Sequence, residues 1–332
     1  MEKNKLGIAL VGLGTYSGEE LAPALQQTAH CYLAGIVTGN RQKAEEWKAK
    51  YKIPDGNVYS YENFDAIKDN PGIDIVYVVL PNAQHAEFTI RAARAGKHVI
   101  CEKPMAVTVK ECEDMIRTCK EAGVLLSIGY RLHFEPHNGA MMELHKNGAI
   151  RRIRRVTAGH GMDIEPGVWR LNRPLAGGGP LMDVGIYCVQ AAIYTVGEEP
   201  VAVTAKEGEK TDRSRFGEVE QSITWTMEFP GGAVAECETS YAKELNYLRA
   251  EGDEGWMQLE PAYKYKGIKG KSDGGALSLP QVNQQARQMD DFALCVKKGQ
   301  PSKVPGEMGL RDLRILMAIY EAARTGQRVA IK

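Results

Sequence analysis

Along the first 130 residues, short apolar runs alternate with charged, amphipathic stretches. Residues 6–11, 33–37, 73–80 (IDIVYVVL), 99–101 and 125–128 are continuous apolar runs, the signature of strands buried on both faces. Between them, residues 17–28, 41–51, 86–95 and 109–122 read as helices. This alternation predicts a parallel, doubly wound α/β sheet. Beyond residue 130 the rhythm changes. Residues 152–157, 202–206, 221–229 and 233–240 read as strands, and Pro230-Gly231-Gly232 between the last two predicts an antiparallel hairpin. Residues 182–196, 284–297 and 310–324 are helix candidates, and the Gly- and Lys-rich stretch 264–275 reads as a surface loop. Strands with few intervening helices predict an α+β domain on an open, mostly antiparallel sheet. The expected domains are therefore 1–129 and 130–332.

A chain of 332 residues accommodates two such domains, each with its own core. Lys plus Arg equals Asp plus Glu at 42 each, so overall charge points to neither a nucleic-acid nor a membrane partner. Seven scattered cysteines without a Cys-x-x-Cys spacing argue against a disulfide framework or zinc ribbon and fit a reducing compartment. The first strand begins within about five residues of Met1, which leaves no room for a secretion signal, and no apolar run approaches the roughly 20 residues that span a membrane. A cytoplasmic protein is the expectation.

Gly12-Leu13-Gly14-Thr15-Tyr16-Ser17 lies directly between the first strand and the first helix. In that context it reads as the phosphate loop of a Rossmann domain: the first glycine allows the tight turn, and the second lets backbone approach a pyrophosphate at the helix N-terminus. Ser17 occupies the third position. After the second strand come Thr38-Gly39-Asn40-Arg41-Gln42-Lys43, with no carboxylate until Glu45. An NAD site places Asp or Glu there, whereas these donors suit the 2′-phosphate of NADP. The alternative is that Arg41 and Lys43 form a solvated helix start, an electrostatically poor place for cations without an anion.

Glu102-Lys103-Pro104 falls at the carboxyl edge of the sheet, where doubly wound folds bind ligands. Oxidising an alcohol requires a proton acceptor and a cation for the alkoxide. Lys103 suits the second role, and Pro104 would stiffen the turn, with a cis bond open to it. The glycine run 177–179 leads into a helix carrying Asp183 and Tyr187 at i and i+4. Tyr187 can pass a proton when a nearby cation favours its phenolate; taken without Lys103, the segment would read as a capped helix with a buried tyrosine. His133 and His137 are also four apart, but Pro136 between them breaks the helical register, so no metal site is expected. His85 and His133 read as pocket or boundary residues. His160 and Asp163 are open to a substrate role.

These motifs resemble the Gfo/Idh/MocA family, in its glucose–fructose oxidoreductase branch. The matching pieces are GLGTYS at 12–17, VTGN at 37–40, LPNAQHAEF at 80–88, AGKHVICEKPMA at 95–106, IGYRLHFEP at 128–136, WRLNRPLAGGGPLMDVGIY at 169–187, GEEP at 197–200 and IYEAARTG at 319–326, spread over nearly the whole chain. The resemblance implies a Rossmann domain followed by an α/β domain whose open sheet serves homodimer or homotetramer contacts. It implies Lys103 as the catalytic lysine, Tyr187 as the acid/base residue and Asp183 as the carboxylate of the sugar pocket. It further implies dinucleotide contacts from Gly12, Leu13, Gly14, Thr15 and Tyr16; from Thr38, Gly39, Asn40, Arg41 and Lys43; from Leu80, Pro81, Asn82 and His85; and from Glu102, Lys103, Arg131, Trp169 and Arg170. Lys103, Arg131, Asp183 and Tyr187 would face the substrate. The implied reaction is NADP-dependent hydride transfer at C1 of an aldose. The branch carries an N-terminal arm that helps retain NADP; about five residues stand there in this chain, which favours an ordinary aldose dehydrogenase or reductase over a two-sugar transhydrogenase. The competing expectations are a nicotinamide-dependent glycoside hydrolase, against which Tyr187 in place of histidine speaks, and a non-catalytic NADP-sensing module, against which the intact Lys103, Asp183 and Tyr187 set speaks.

Overall fold

The computed structural model describes residues 5–147 and 150–331. Residues 1–4, on which the reading of the N-terminus rests, lie outside the described residues. The chain divides into two compact units, Met1–Arg131 with Asn283–Leu310, and Leu132–Val282 with Arg311–Lys332. The expected division at 129/130 differs chiefly in residues 283–310, which pack within the first unit.

The first unit holds a parallel sheet of β1 (Leu6–Val11), β2 (Cys31–Val37), β3 (Val58–Tyr59), β4 (Ile75–Val78), β5 (His98–Cys101) and β6 (Leu126–Ile128) in the order β3-β2-β1-β4-β5-β6. This is the doubly wound order whose switch point lies between β1 and β4. β1 and β4 are buried at every position, as the unbroken apolar runs require. The helices of this unit are α1 (Ala22–Leu25), α2 (Arg41–Tyr51), α3 (His85–Arg94) and α4 (Val109–Glu121). α4 opens on a capping box in which Thr108 and Glu111 satisfy each other's backbone N–H. The single helix expected over 17–28 is instead a wide π-type turn at Ser17–Leu21 followed by the short α1. Pro23 has no N–H to give, so a regular helix ladder cannot run unbroken through this stretch.

The second unit contains α5 (Pro136–Asn147), β7 (Arg151–Asp163), α6 (Arg173–Ala176), α7 (Ile186–Val196) and β8 (Ala202–Glu207). There follow β9 (Ser222–Glu228), β10 (Val234–Ser240), β11 (Ala242–Glu254), β12 (Trp256–Leu259), β13 (Gly270–Ser272) and β14 (Gly275–Leu277). The chain then runs through α8 (Gln284–Lys298) in the first unit and α9 (Gly306–Thr325), and ends on β15 (Val329–Ala330). Nine described strands line up as β14-β13-β12-β11-β7-β10-β9-β8-β15, antiparallel apart from the β7/β10 pair. The expected hairpin is present, with Val234 opposite Glu228 and Phe229 N–H bonded to the Ala233 carbonyl at 3.0 Å. The stretch expected to be a loop at 264–275 contains β13 and enters β14. Lys, Gly and Ser are weak strand formers, but a short edge pairing needs only backbone. α7 packs against β7 and β10 and buries nearly its whole length. Among the described residues, no helix is long and apolar enough to cross a membrane.

Candidate active site

In the first unit the candidate residues gather at the carboxyl ends of the parallel strands. Gly12 has φ +92, and a Cβ there would stand 2.4 Å from the Val79 carbonyl, so only glycine fits. At Gly14 nothing lies within 4 Å of an added Cβ. One glycine closes the turn against Val79, just past β4, and the other leaves its outer side clear. Thr15 is exposed and Tyr16 half-buried. Ser17 is fully buried and its hydroxyl donates to the Gly12 carbonyl at 2.6 Å, tying the loop closed where the expected pattern has a small residue.

Beyond β2, Thr38 is buried and its Oγ1 accepts from Asn40 N–H at 3.2 Å. Asn40 caps α2 by accepting from Lys43 N–H at 2.9 Å. Lys43 Nζ donates to the Leu13 carbonyl at 3.0 Å, so its side chain joins the glycine loop to the start of α2. Gly39, Asn40 and Arg41 are exposed. The first turn of α2 carries no acidic residue. The cradle, the helix start and this donor set fit a dinucleotide.

Beside them runs a buried polar chain that the sequence did not suggest. Gln288 Nε2 on α8 donates to Tyr77 Oη at 2.9 Å, Tyr77 Oη donates to Glu102 Oε1 at 2.6 Å, and Lys103 N–H donates to Glu102 Oε2 at 3.2 Å. Burial pushes the Glu102 carboxyl above its ordinary range, while Tyr77, Lys103 and Arg131 hold it down. Arg131, also buried, donates through Nη1 to Gln284 Oε1. The Lys103–Pro104 bond is cis. Leu80 is buried, Pro81 half-buried and Asn82 buried at the turn into α3. His85 lies with its ring sealed between two backbone carbonyls, Nδ1 at 2.9 Å from Pro104 O and Nε2 at 2.8 Å from Leu80 O. Burial holds it below the ordinary histidine range although the two carbonyls favour a protonated ring, and the Lys103 charge adds to the depression. Its observed partners are thus the turns that carry Leu80 and Lys103.

In the second unit, Asp183 lies in the wide turn Leu181–Gly185 that opens α7. Its Oδ2 accepts from Tyr241 Oη at 3.0 Å and lies 3.2 Å from Arg170 Nε. The neighbouring carboxylate holds the Arg170 guanidinium above its usual range, and Arg170 in turn lies over the Trp169 ring at 4.8 Å. Burial and Asp183 push the Tyr241 phenol well up. Tyr187 is buried one turn on, its ring edge-on to His160 with centroids 5.2 Å apart, and His160 stacks on Tyr263 at 4.8 Å. Tyr241 and Tyr263 escaped the sequence reading because neither stands in a motif. Asp163 is exposed and pairs with Arg215 at 2.6 Å. His133 and His137 have partners already, Gln190 Oε1 at 2.7 Å and Glu135 Oε1 at 2.8 Å.

Residues 6–130 match the GFO/IDH/MocA oxidoreductase family, NAD-binding Rossmann fold, and residues 139–258 match the GFO/IDH/MocA C-terminal domain. The structure is similar to that of an aldose–aldose oxidoreductase from Caulobacter crescentus, with 47% identity, coverage of 98% of this chain and 99% of that one, and a TM-score of 0.94. A D-xylose 1-dehydrogenase [NADP(+)] from Haloarcula marismortui is 29% identical over 99% of this chain and 94% of its own length. A 1,5-anhydro-D-fructose reductase from Ensifer adhaerens is 27% identical over 97% and 98%. The Gly12–Ser17 loop, the buried carboxylate next to Lys103 and the Asp183–Arg170–Tyr241 cluster thus occur in a chain that belongs, in both of its halves, to the GFO/IDH/MocA oxidoreductase family.

Proposed function

We propose that this protein is an NADP-dependent oxidoreductase that moves a hydride between C1 of an aldose and the nicotinamide ring. One observation carries the reading: whole-length likeness to an aldose–aldose oxidoreductase in a chain that has Lys103, Asp183 and Tyr187. Preference for NADP is supported by Thr38, Asn40, Arg41 and Lys43 following β2, with no carboxylate before Glu45.

When bound, the nicotinamide supplies the hydride acceptor. The remaining duties fall to the chain. Oxidation removes a hydride from C1 and a proton from its hydroxyl, leaving a lactone. Lys103 is the cation that stabilises the developing alkoxide, and the Tyr187 oxygen takes the proton. Asp183, its carboxylate shared with Arg170 and Tyr241, accepts from neighbouring sugar hydroxyls and orients the ring. Arg131 is assigned to the substrate as well, with Trp169 and Arg170 beside the dinucleotide. The outer face of the nine-stranded sheet is the surface we assign to self-association. It presents a shallow groove of about 590 Å³ lined by Arg155, Thr204, Thr224, Glu236 and Tyr247 among others.

The test is reduction of NADP+ or NAD+ followed at 340 nm with D-xylose and D-glucose. Faster turnover with NADP+ is expected. Lys103→Met should lower kcat at least about 100-fold and leave NADP+ affinity nearly unchanged. Wild-type turnover in that variant removes the mechanism.

A further inference from the structure

The turn that carries Asp183 and leads to Tyr187 begins without a local cap. Its flanking residue is Pro180, which has no N–H, and no side chain near it in sequence caps the turn. The cap comes from 40 residues away. Glu220, 1% exposed, accepts from Gly179 N–H at 3.0 Å through Oε2 and from Leu181 N–H at 3.2 Å through Oε1. Tyr320, on α9, donates its hydroxyl to the same Oε1 at 2.7 Å. The glycines are shaped to this arrangement: a Cβ on Gly178 would stand 2.0 Å from Tyr320 Oη, and one on Gly179 would stand 2.6 Å from the Glu220 carbonyl. On the other side Thr239 Oγ1 donates to the Pro180 carbonyl at 3.3 Å.

We infer that Glu220, braced by Tyr320, is a positioning residue that fixes the 177–187 segment and hence the placement of Asp183 and Tyr187 during hydride transfer. A carboxylate suits this duty because it accepts from three donors at once and puts a negative charge at the positive end of a helix. A neutral amide would turn an N–H toward at least one of those donors. The role rests on the reading of Asp183 and Tyr187 given above.

Burial pushes the Glu220 carboxyl above the ordinary carboxylate range, while Tyr320 and the Gly179 and Leu181 N–H groups hold it down. The ionisable groups coupled to this cluster are Tyr320 on α9, Tyr241 after β10, and Arg173 on α6 acting on Tyr320. Protonation releases acceptors and loosens the turn. The activity is therefore expected to show an acid limb set by Glu220, at a pH above the usual carboxylate titration.

Full-length wild-type protein, Glu220→Gln and Tyr320→Phe are compared with NADP+ and D-xylose or D-glucose between about pH 4.5 and 8. Hydrogen exchange of the 177–187 peptide and NADP+ affinity are measured on the same proteins. Glu220→Gln is expected to lower kcat about 10- to 100-fold, abolish the acid limb and speed exchange in that peptide, with NADP+ affinity within about twofold. Tyr320→Phe keeps the carboxylate and its two backbone bonds and loses one donor, so its acid limb should move to higher pH. If Glu220→Gln does not fold, Tyr320→Phe decides alone. An unmoved limb together with unchanged exchange at 177–187 overturns the clamp. A Tyr187→Phe enzyme with wild-type kcat overturns the acid/base assignment instead, and the exchange measurement still judges the clamp because it needs no turnover.

Discussion

Gly129→Ala tests whether the buried carboxylate beside Lys103 is held where it stands. A methyl group on Gly129 would lie 2.6, 2.7 and 2.8 Å from Oε1, Cδ and Oε2 of Glu102, roughly 1 Å inside ordinary contact. The carboxylate has little freedom to retreat, since Tyr77 Oη holds one oxygen at 2.6 Å and Lys103 N–H holds the other at 3.2 Å, and Tyr77 and Glu102 are themselves buried. Either the contact is accepted as overpacking, at about 1–3 kcal/mol, or the Tyr77 bond to a charged acceptor is given up, at about 1.5–3 kcal/mol. A loss of about 2–3 kcal/mol corresponds to a fall in Tm of roughly 4–12 °C for a unit of this size. Because the displaced group directly precedes Lys103, kcat should fall more than NADP+ affinity. The assays are thermal melting by circular dichroism and steady-state turnover. The effect should largely vanish in a Glu102→Ala background, a coupling that a double-mutant cycle reads directly. A Gly129→Ala protein melting within about 1 °C of wild type would refute the reasoning.

Further consequences can be checked independently. Lys43→Met removes the bond to the Leu13 carbonyl and a cation at the start of α2; KM for NADP+ should rise about 10-fold or more while KM for NAD+ changes little, and equal changes would refute the 2′-phosphate assignment. Gly139→Ala places a methyl group in open space inside α5, so stability should rise by about 0.5–1 kcal/mol in urea melts. Burial depresses His85 and His98 below the ordinary histidine value, and His98 Nδ1 must stay unprotonated to accept from Leu125 N–H at 3.0 Å. In unfolding, both return to an ordinary value near 6.5, so the unfolded chain binds more protons on acidification. Their contribution is therefore fully present above about pH 6.5 and is lost as pH falls through the folded values. The urea midpoint should drop between about pH 7.5 and 5.5, and His98→Gln should flatten part of that slope.

The first unit was largely legible in the sequence. Strands such as Ile75–Val78 are buried on both sides and leave an unbroken apolar run, and the Gly12–Ser17 loop is dictated by backbone geometry that few residue types satisfy. The second unit was less so. β11 runs over 13 residues as AKELNYLRAEGDE, half polar because one face of its sheet is not buried, and that composition carries no strong strand signal. The parallel pairing of β7 with β10 links residues about 80 apart and has no local signature. Among the candidate residues, Lys103, Asp183 and Tyr187 stood out because they lie in motifs that offer chemistry. Glu220, Tyr241 and Gln288 did not, and Tyr320 stood in a matching segment with no role attached to it, since each acts through a contact remote in sequence. His85 shows a second limit: its motif said nothing of its neighbours, the Pro104 and Leu80 carbonyls, which lie 2.9 and 2.8 Å from its two ring nitrogens.

The return of residues 283–310 to the first unit affects how the chain is made. Met289, Phe292 and Ala293 of α8 share one apolar cluster with Ile8, Leu10, Leu21, Leu25 and Tyr77. On the ribosome those early residues emerge long before α8 exists. At about 5–20 residues per second, roughly 10–40 s separate synthesis of residue 131 from that of residue 310. Throughout that interval the nascent nucleotide-binding half carries an uncovered oily face. A fragment truncated at residue 131 would keep that face permanently and should aggregate, whereas a version with 283–310 joined on through a short linker should remain dispersed.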